Sequence, residues 1–266
     1  MSNYQNPYAR FGSSAAGVDA QALDQGLRSY MLKIYNYMGL GVAITGVFAL
    51  LVYSLATTTV GAPDAVVTVR SSGLALTSFG YAVFASPLKW VLMLAPLAFI
   101  MVLSFGINRL SPAMTQLLFW AFCAIMGVSM SSIFLIYVKT SITQVFFITA
   151  IAFGGLSLIG YTTKKSLSGM GSFLMMGLIG IVVASLVNLF VGSSALQFAI
   201  SVIGVLVFSG LIAYDTQRLK DEYIYGYAGT DAGTQSKAAI MGALSLYLNF
   251  INLFQMLLSL LGQREN

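Results

Sequence analysis

Of the 266 residues, 58% are hydrophobic and only 8% are charged, a composition that cannot clothe a globule wetted on every side and so excludes an ordinary water-soluble domain. The net charge of +5 comes from basic residues standing singly at the ends of apolar runs, which excludes the clustered basic face of a nucleic-acid-binding protein. With one cysteine and no histidine, there is no intrachain disulfide, no cysteine metal centre and no imidazole pH switch. Any metal or proton response must use carboxylates and neutral oxygens.

In chain order, residues 1–29 are polar, with Arg10 and Arg28 balanced by Asp19 and Asp24, and are expected as a cytoplasmic tail. The first apolar run starts too far in and is too long for the core of a signal peptide, so it is retained as a span. About 20 helical residues cross a hydrocarbon core of about 30 Å. On that measure seven spans are expected: Tyr35 to Ala56, Leu88 to Ile107, Ala113 to Val138, Ile142 to Tyr161, Phe173 to Val191, Leu196 to Tyr214 with a polar extension, and Ala238 to Leu261. The fold class is thus an all-α membrane protein, with residues 30–266 forming one seven-helix transmembrane domain. The long loop 57–87 is expected outside the cytoplasm, its middle as a short strand or interfacial helix. Cys123 reads as a small core residue. Gly127 with Ser131, and Gly177, Gly180, Ala184 and Asn188, read as seams where helices approach closely.

Charge bias orients the bundle. With the N-terminus inside, the cytoplasmic side carries Arg10, Arg28, Lys33, Arg109, Lys164, Lys165, Arg218, Lys220 and Lys237, against Arg70, Lys89, Lys139 and Arg264 outside. That asymmetry favours a cytoplasmic N-terminus and an extracytoplasmic C-terminus.

Seven of the eight acids fall in tails or loops, and only Asp215, in GLIAYDTQRLK, lies at a span. Ionisable residues within membranes face the bundle interior or a wet cavity and are functional candidates; the competing reading is an acid already past the membrane face and capped by Arg218 and Lys220. The seventh span carries Ser245, Asn249, Asn252 and Gln255 at spacings of four, three and three, a polar stripe on one helix face. Such a stripe reads either as pathway lining or as interhelical hydrogen-bonding glue. Arg109, ending the second span on the same side as Asp215, is expected either to pair with it or to extend toward lipid phosphates. An aspartyl protease needs two carboxylates and finds one, a retinal protein needs a lysine in its last span and finds none, and no serine–histidine pair exists. An enzyme is therefore not expected.

Three stretches, GVSMSSIFLIY at 127–137, SVIGVLVFSGLIAYDTQRL at 201–219 and ALSLYLNFINLF at 243–254, resemble the Bax inhibitor-1 family, most closely its bacterial branch. The likeness runs from about Gln25 to the C-terminus. The resemblance implies a bacterial inner-membrane protein with the seventh helix at the centre of the bundle and a pH-sensitive calcium leak. It also implies a proton-sharing pair of aspartates in helices six and seven, with an arginine of helix two latching the first. Asp215 matches the sixth-helix acid and Arg109 the arginine, but Asn249 stands where the second acid would be. The expected gate is therefore Asp215, Arg109 and Asn249, with Ser245, Asn252, Gln255 and Asn188 lining the path. A single carboxylate implies only weak Ca2+ binding at Asp215. No cofactor is expected. Besides the lipid bilayer and a cation, the bacterial likeness suggests as an alternative a regulatory partner of a membrane quality-control protease, engaged through the polar tail.

Overall fold

Inside a hydrocarbon layer every backbone N–H and C=O must find its partner within the chain, which leaves helices as the means for this sequence to cross. The structure, a computed structural model, describes residues 20–69, 73–106 and 109–265. Seven of its helices are long and apolar enough to span: α1 Ala20–Ala56, α2 Leu88–Gly106, α3 Pro112–Met130, α4 Lys139–Thr162, α5 Ser168–Val191, α6 Ser194–Glu222 and α7 Ala232–Leu261.

Their ends differ from the sequence expectation mostly on one side of the bundle. α1 is already helical at Ala20, so residues 20–29 are not a loose tail, while the rest of the expected tail lies outside the described residues. α6 runs past Tyr214 to Glu222 and ends in a wider turn over Tyr223–Tyr227. Polarity ended the expected spans early, yet helices continue through the interfacial zone because their backbone bonds are internal and independent of side-chain polarity. The third span is interrupted at Ser131, whose hydroxyl turns back onto Val128 O at 2.6 Å, and resumes as a turn over Ile133–Ile136.

Starts and stops follow local chemistry. Ser111 caps α3 by accepting from Met114 N, with Pro112 in the first turn where its missing N–H costs nothing. Asp231 caps α7 through Thr234, whose backbone N–H and hydroxyl lie 3.0 and 2.6 Å from its carboxylate. Those hydrogen bonds hold the Asp231 carboxyl below its ordinary range. Gly192 ends α5 in the left-handed region at φ 65°, where a residue without Cβ is favoured.

The described part of the loop 57–87 holds a small antiparallel sheet, β1 Thr57–Thr59, β2 Val67–Thr68 and β3 Leu74–Leu76, with β3 central. The C-terminus is tied to the turn between α3 and α4 by Val138 N to Gln263 O at 2.9 Å and Glu265 N to Ile136 O at 3.0 Å.

α7 occupies the middle of the bundle, packed against α1, α3, α4 and α6, while α2 and α5 lie outside on α3 and α6. Rings set edge to face surround it: Phe119 and Phe122 approach Tyr247, and Phe146 and Phe153 approach Phe250, with centroids 5.6–6.2 Å apart. Tyr247 is fully buried, and its hydroxyl meets Thr45 Oγ1 of α1 at 2.6 Å. Between the described spanning helices, two glycines let backbones touch. A Cβ at Gly127 would stand 2.5 Å from Thr45 O, and one at Gly160 would stand 2.2 Å from Ala213 O. Of the expected seam on α5, Gly177 does meet Val207 of α6, but Gly180 faces open space. Cys123 is fully buried, as a small core residue should be. α1 and α4 meet at too few points to form a seam, which leaves a cleft between them.

Candidate functional site

The sequence Asp215-Thr216-Gln217 sends three polar side chains to three neighbours. Successive helical residues are rotated by about 100°, since 3.6 residues make a turn, so three in a row address different elements. Thr216 reaches α4, its hydroxyl 3.1 Å from Ser157 Oγ. Gln217 reaches the connection between α4 and α5, accepting from Leu167 N at 2.7 Å and donating to Lys165 O at 2.9 Å. Asp215 faces α7.

Asp215 is 7% exposed, and both its oxygens are engaged. Oδ1 accepts from Arg218 Nε at 3.1 Å and lies 3.0 Å from Arg218 Nη2. Oδ2 accepts from Ser245 Oγ and Asn249 Nδ2, each at 2.7 Å. Residues 215 and 218 share a face of α6 because they are one turn apart, and 245 and 249 share a face of α7 for the same reason. The guanidinium continues outward, with Nη1 donating to Glu222 Oε1 at 3.3 Å and Nη2 to Ser245 Oγ at 3.3 Å. A buried carboxylate is costly unless it is paired and hydrogen-bonded, and this one is both. The Arg218 side chain is 39% exposed, so solvent screens the pair and the hydrogen bonds from α7 matter as much as its charge.

Beside this cluster lies a cavity of about 630 Å³ between α2, α6 and α7, into which Ser104, Arg218, Glu222, Thr234, Lys237 and Ser245 project. It is the most polar of the larger cavities described.

The remaining residues singled out by sequence are spread more widely. Arg109 is exposed in the turn after α2, its N–H bonded to Gly106 O at 2.8 Å, and the guanidinium paired with Asp215 is that of Arg218. Reach favours Arg218, which is one turn away on the same helix as Asp215. Asn252 is turned onto its own helix, donating to Leu248 O at 2.8 Å, and no described residue bonds the Gln255 side chain. Asn188 belongs to a second polar cluster at the opposite end of the bundle. There its Nδ2 donates to Gln197 Oε1 at 3.2 Å, and Ser201 Oγ donates to Ser259 Oγ at 2.9 Å. Ser259 extends the α7 stripe two turns past Asn252, so the spacing that exposed the stripe reaches it as well. Gln197 and Ser201 carried no comparable signal.

Among the described residues no three carboxylates, cysteines or histidines converge on one point. A cation at Asp215 would have to displace at least one of the donors already on its oxygens.

Residues 27–266 match the family model described as Inhibitor of apoptosis-promoting Bax1. A Caulobacter vibrioides protein is 45% identical over 263 residues, covering 98% of both chains. A Rickettsia prowazekii protein is 43% identical over 246 residues, 92% of this chain and 94% of the relative. Inner membrane protein YbhL of Escherichia coli K12 is 42% identical over 258 residues, 96% of this chain and 99% of the relative. On the family match and these near full-length identities, the chain belongs to the Bax inhibitor-1 family of integral membrane proteins.

Proposed function

We propose that this protein is a passive, pH-gated cation pathway of a bacterial inner membrane, with Ca2+ as the cation and Asp215 as the gate. Its N-terminus would be cytoplasmic and its C-terminus extracytoplasmic, as the charge bias favours. The supporting observation is the acid itself. Asp215 is buried at a span, and its two oxygens join a counter-charge on α6 to two donors on α7 at 2.7 Å.

The ionised carboxylate draws Arg218, Ser245 and Asn249 onto one point and so pins α6 to the central helix beside the 630 Å³ cavity. Protonation removes the charge that Arg218 pairs with. Glu222, already bonded to Arg218 Nη1, then becomes the better partner, and the guanidinium moves outward toward it. Charge-assisted hydrogen bonds weaken to ordinary ones, α6 loosens from α7, and the cavity gains access to the core of the bundle. Glu222 and Lys237 are the other charged groups that line this cavity. Arg218, rather than Arg109, supplies the latch in this reading.

One carboxylate with the neutral oxygens of Ser245 and Asn249 would hold Ca2+ weakly. Weak holding suits passage, because an ion that enters must also leave. The test is Ca2+ entry into proteoliposomes holding a trapped fluorescent indicator. Vesicles with the wild-type protein should fill faster than protein-free vesicles, and Arg218→Gln vesicles faster still near neutral pH. Equal rates in all three would overturn the reading.

A further inference from the structure

The cleft between α1 and α4 is unused by the proposed gate and has the make-up of a lipid site. Its half nearest Asp215 encloses about 490 Å³, with Arg28, Met31, Leu32 and Tyr35 on the α1 wall facing Phe153, Gly154, Ser157, Leu158 and Tyr161 on α4. We propose that this cleft binds one anionic phospholipid, its phosphate at Arg28 and one acyl chain lying between the two helices.

Four observations carry the assignment. First, the cleft persists because α1 and α4 scarcely pack on each other, and Gly154 adds to the gap: a Cβ there would meet nothing within 4 Å. Second, its walls grade from charged to apolar along their length. Arg28 begins the α1 wall, followed by Met31, Leu32 and Tyr35, while on α4 Tyr161 stands at one end and Leu158, Gly154 and Phe153 lead away from it. At 1.5 Å per residue the α4 wall from Phe153 to Tyr161 is about 12 Å long, close to the ~15 Å that half of a hydrocarbon core occupies. Third, positive charge gathers at the polar end. Arg28 is exposed, and Lys220 of α6 stands beside Tyr161, donating to its carbonyl at 2.9 Å with its ammonium 5.8 Å from the ring centroid. Cations at the headgroup level favour anionic over zwitterionic lipid. Fourth, the cleft lies along spanning helices, so the apolar matter bordering it is acyl chain. The floor of the site touches α6 where Ser157 bonds Thr216, one residue from Asp215, although the binding proposal does not depend on what Asp215 does.

Native mass spectrometry of the purified full chain, titrated with phosphatidylglycerol or with phosphatidylcholine, tests it. The wild-type protein should retain one phosphatidylglycerol in preference to phosphatidylcholine. Arg28→Ala should weaken phosphatidylglycerol by about five-fold, the factor one cation contributes near an anionic surface, and weaken phosphatidylcholine less, because its choline already offsets the phosphate charge. Gly154→Leu should fill the cleft and release both lipids without lowering the thermal midpoint. Equal retention of phosphatidylglycerol by wild type and Gly154→Leu would overturn the proposal. So would retention that appears only after residues 1–19 are removed, which would make the tail the occupant.

Discussion

At the scale of single residues, a buried carboxylate in this bundle is tolerable because four contacts from three side chains converge on it. Neutralising charge comes from Arg218 and geometry from Ser245 and Asn249. Asn249 is the informative member. Its amide donates to Asp215 Oδ2 at 2.7 Å, so an acid in its place would set two carboxylates within hydrogen-bonding distance. Two such groups share one proton and titrate as a coupled pair. Asn249→Asp is therefore expected to move the pH profile of Ca2+ entry to higher pH than that of the wild-type protein, because mutual repulsion raises the affinity of the pair for its shared proton. Entry measured across a pH series checks this, and superimposable profiles would mean that the α6–α7 contact is not part of the gate. Asp215 and Asn249 were legible in sequence, one as the single acid within a span and the other as part of a periodic stripe. Arg218 was visible at i+3 but entered only the competing reading, as a cap on an acid past the membrane face, because sequence does not show how far a helix continues before its side chains leave the protein.

At the scale of elements, seven helices were legible because their apolar runs are long, whereas their ends were not. Hydropathy records where lipid stops and not where backbone hydrogen bonding stops, so α1 and α6 both overran their expected limits. Helix contacts were half legible. Of the expected seams, Gly127 marks a true backbone approach and Gly177 meets Val207, while Gly180 sits on an open face and Gly160, which touches Ala213, was not singled out; a small residue reads the same in either setting. Gly160→Ala should accordingly lower the thermal midpoint of the detergent-solubilised protein, since its methyl meets the fixed carbonyl of Ala213. Gly180→Ala should leave the midpoint unchanged or raise it, because alanine is the better helix former by about 1 kcal/mol. The α1–α7 contact offers a second comparison. Thr45 Oγ1 has Gly41 O and Cys123 O as further partners at 3.0 and 2.9 Å, so Tyr247→Phe leaves the threonine satisfied. Thr45→Val instead strands a fully buried phenol. The valine variant should be the less stable of the two by about 1–3 kcal/mol, the cost of an unsatisfied buried polar group, as read from unfolding in detergent.

At the scale of the whole molecule, α7 stands at the centre and polar clusters lie at opposite ends of α6 and α7, the layout the proposed pathway requires. The cluster at Asp215 is charged and the one at Asn188, Gln197, Ser201 and Ser259 is neutral. The central place of α7 came from family resemblance, while the neutral cluster was only partly legible, because its members lie on three helices that sequence spacing cannot bring together. Orientation is tested by placing Thr59→Cys or Ser166→Cys in the full chain, where native Cys123 is fully buried. A membrane-impermeant maleimide applied to intact spheroplasts should label the first variant and spare the second, and the opposite pattern would invert the topology. In the proposed gate, the charge on Asp215 holds a cation path shut. Its most direct test is the pH dependence of Ca2+ entry into proteoliposomes holding the wild-type protein or Asp215→Asn. Entry should rise on acidification for the wild type and stay flat and open for the variant. A variant that still responds to pH as the wild type does would contradict it.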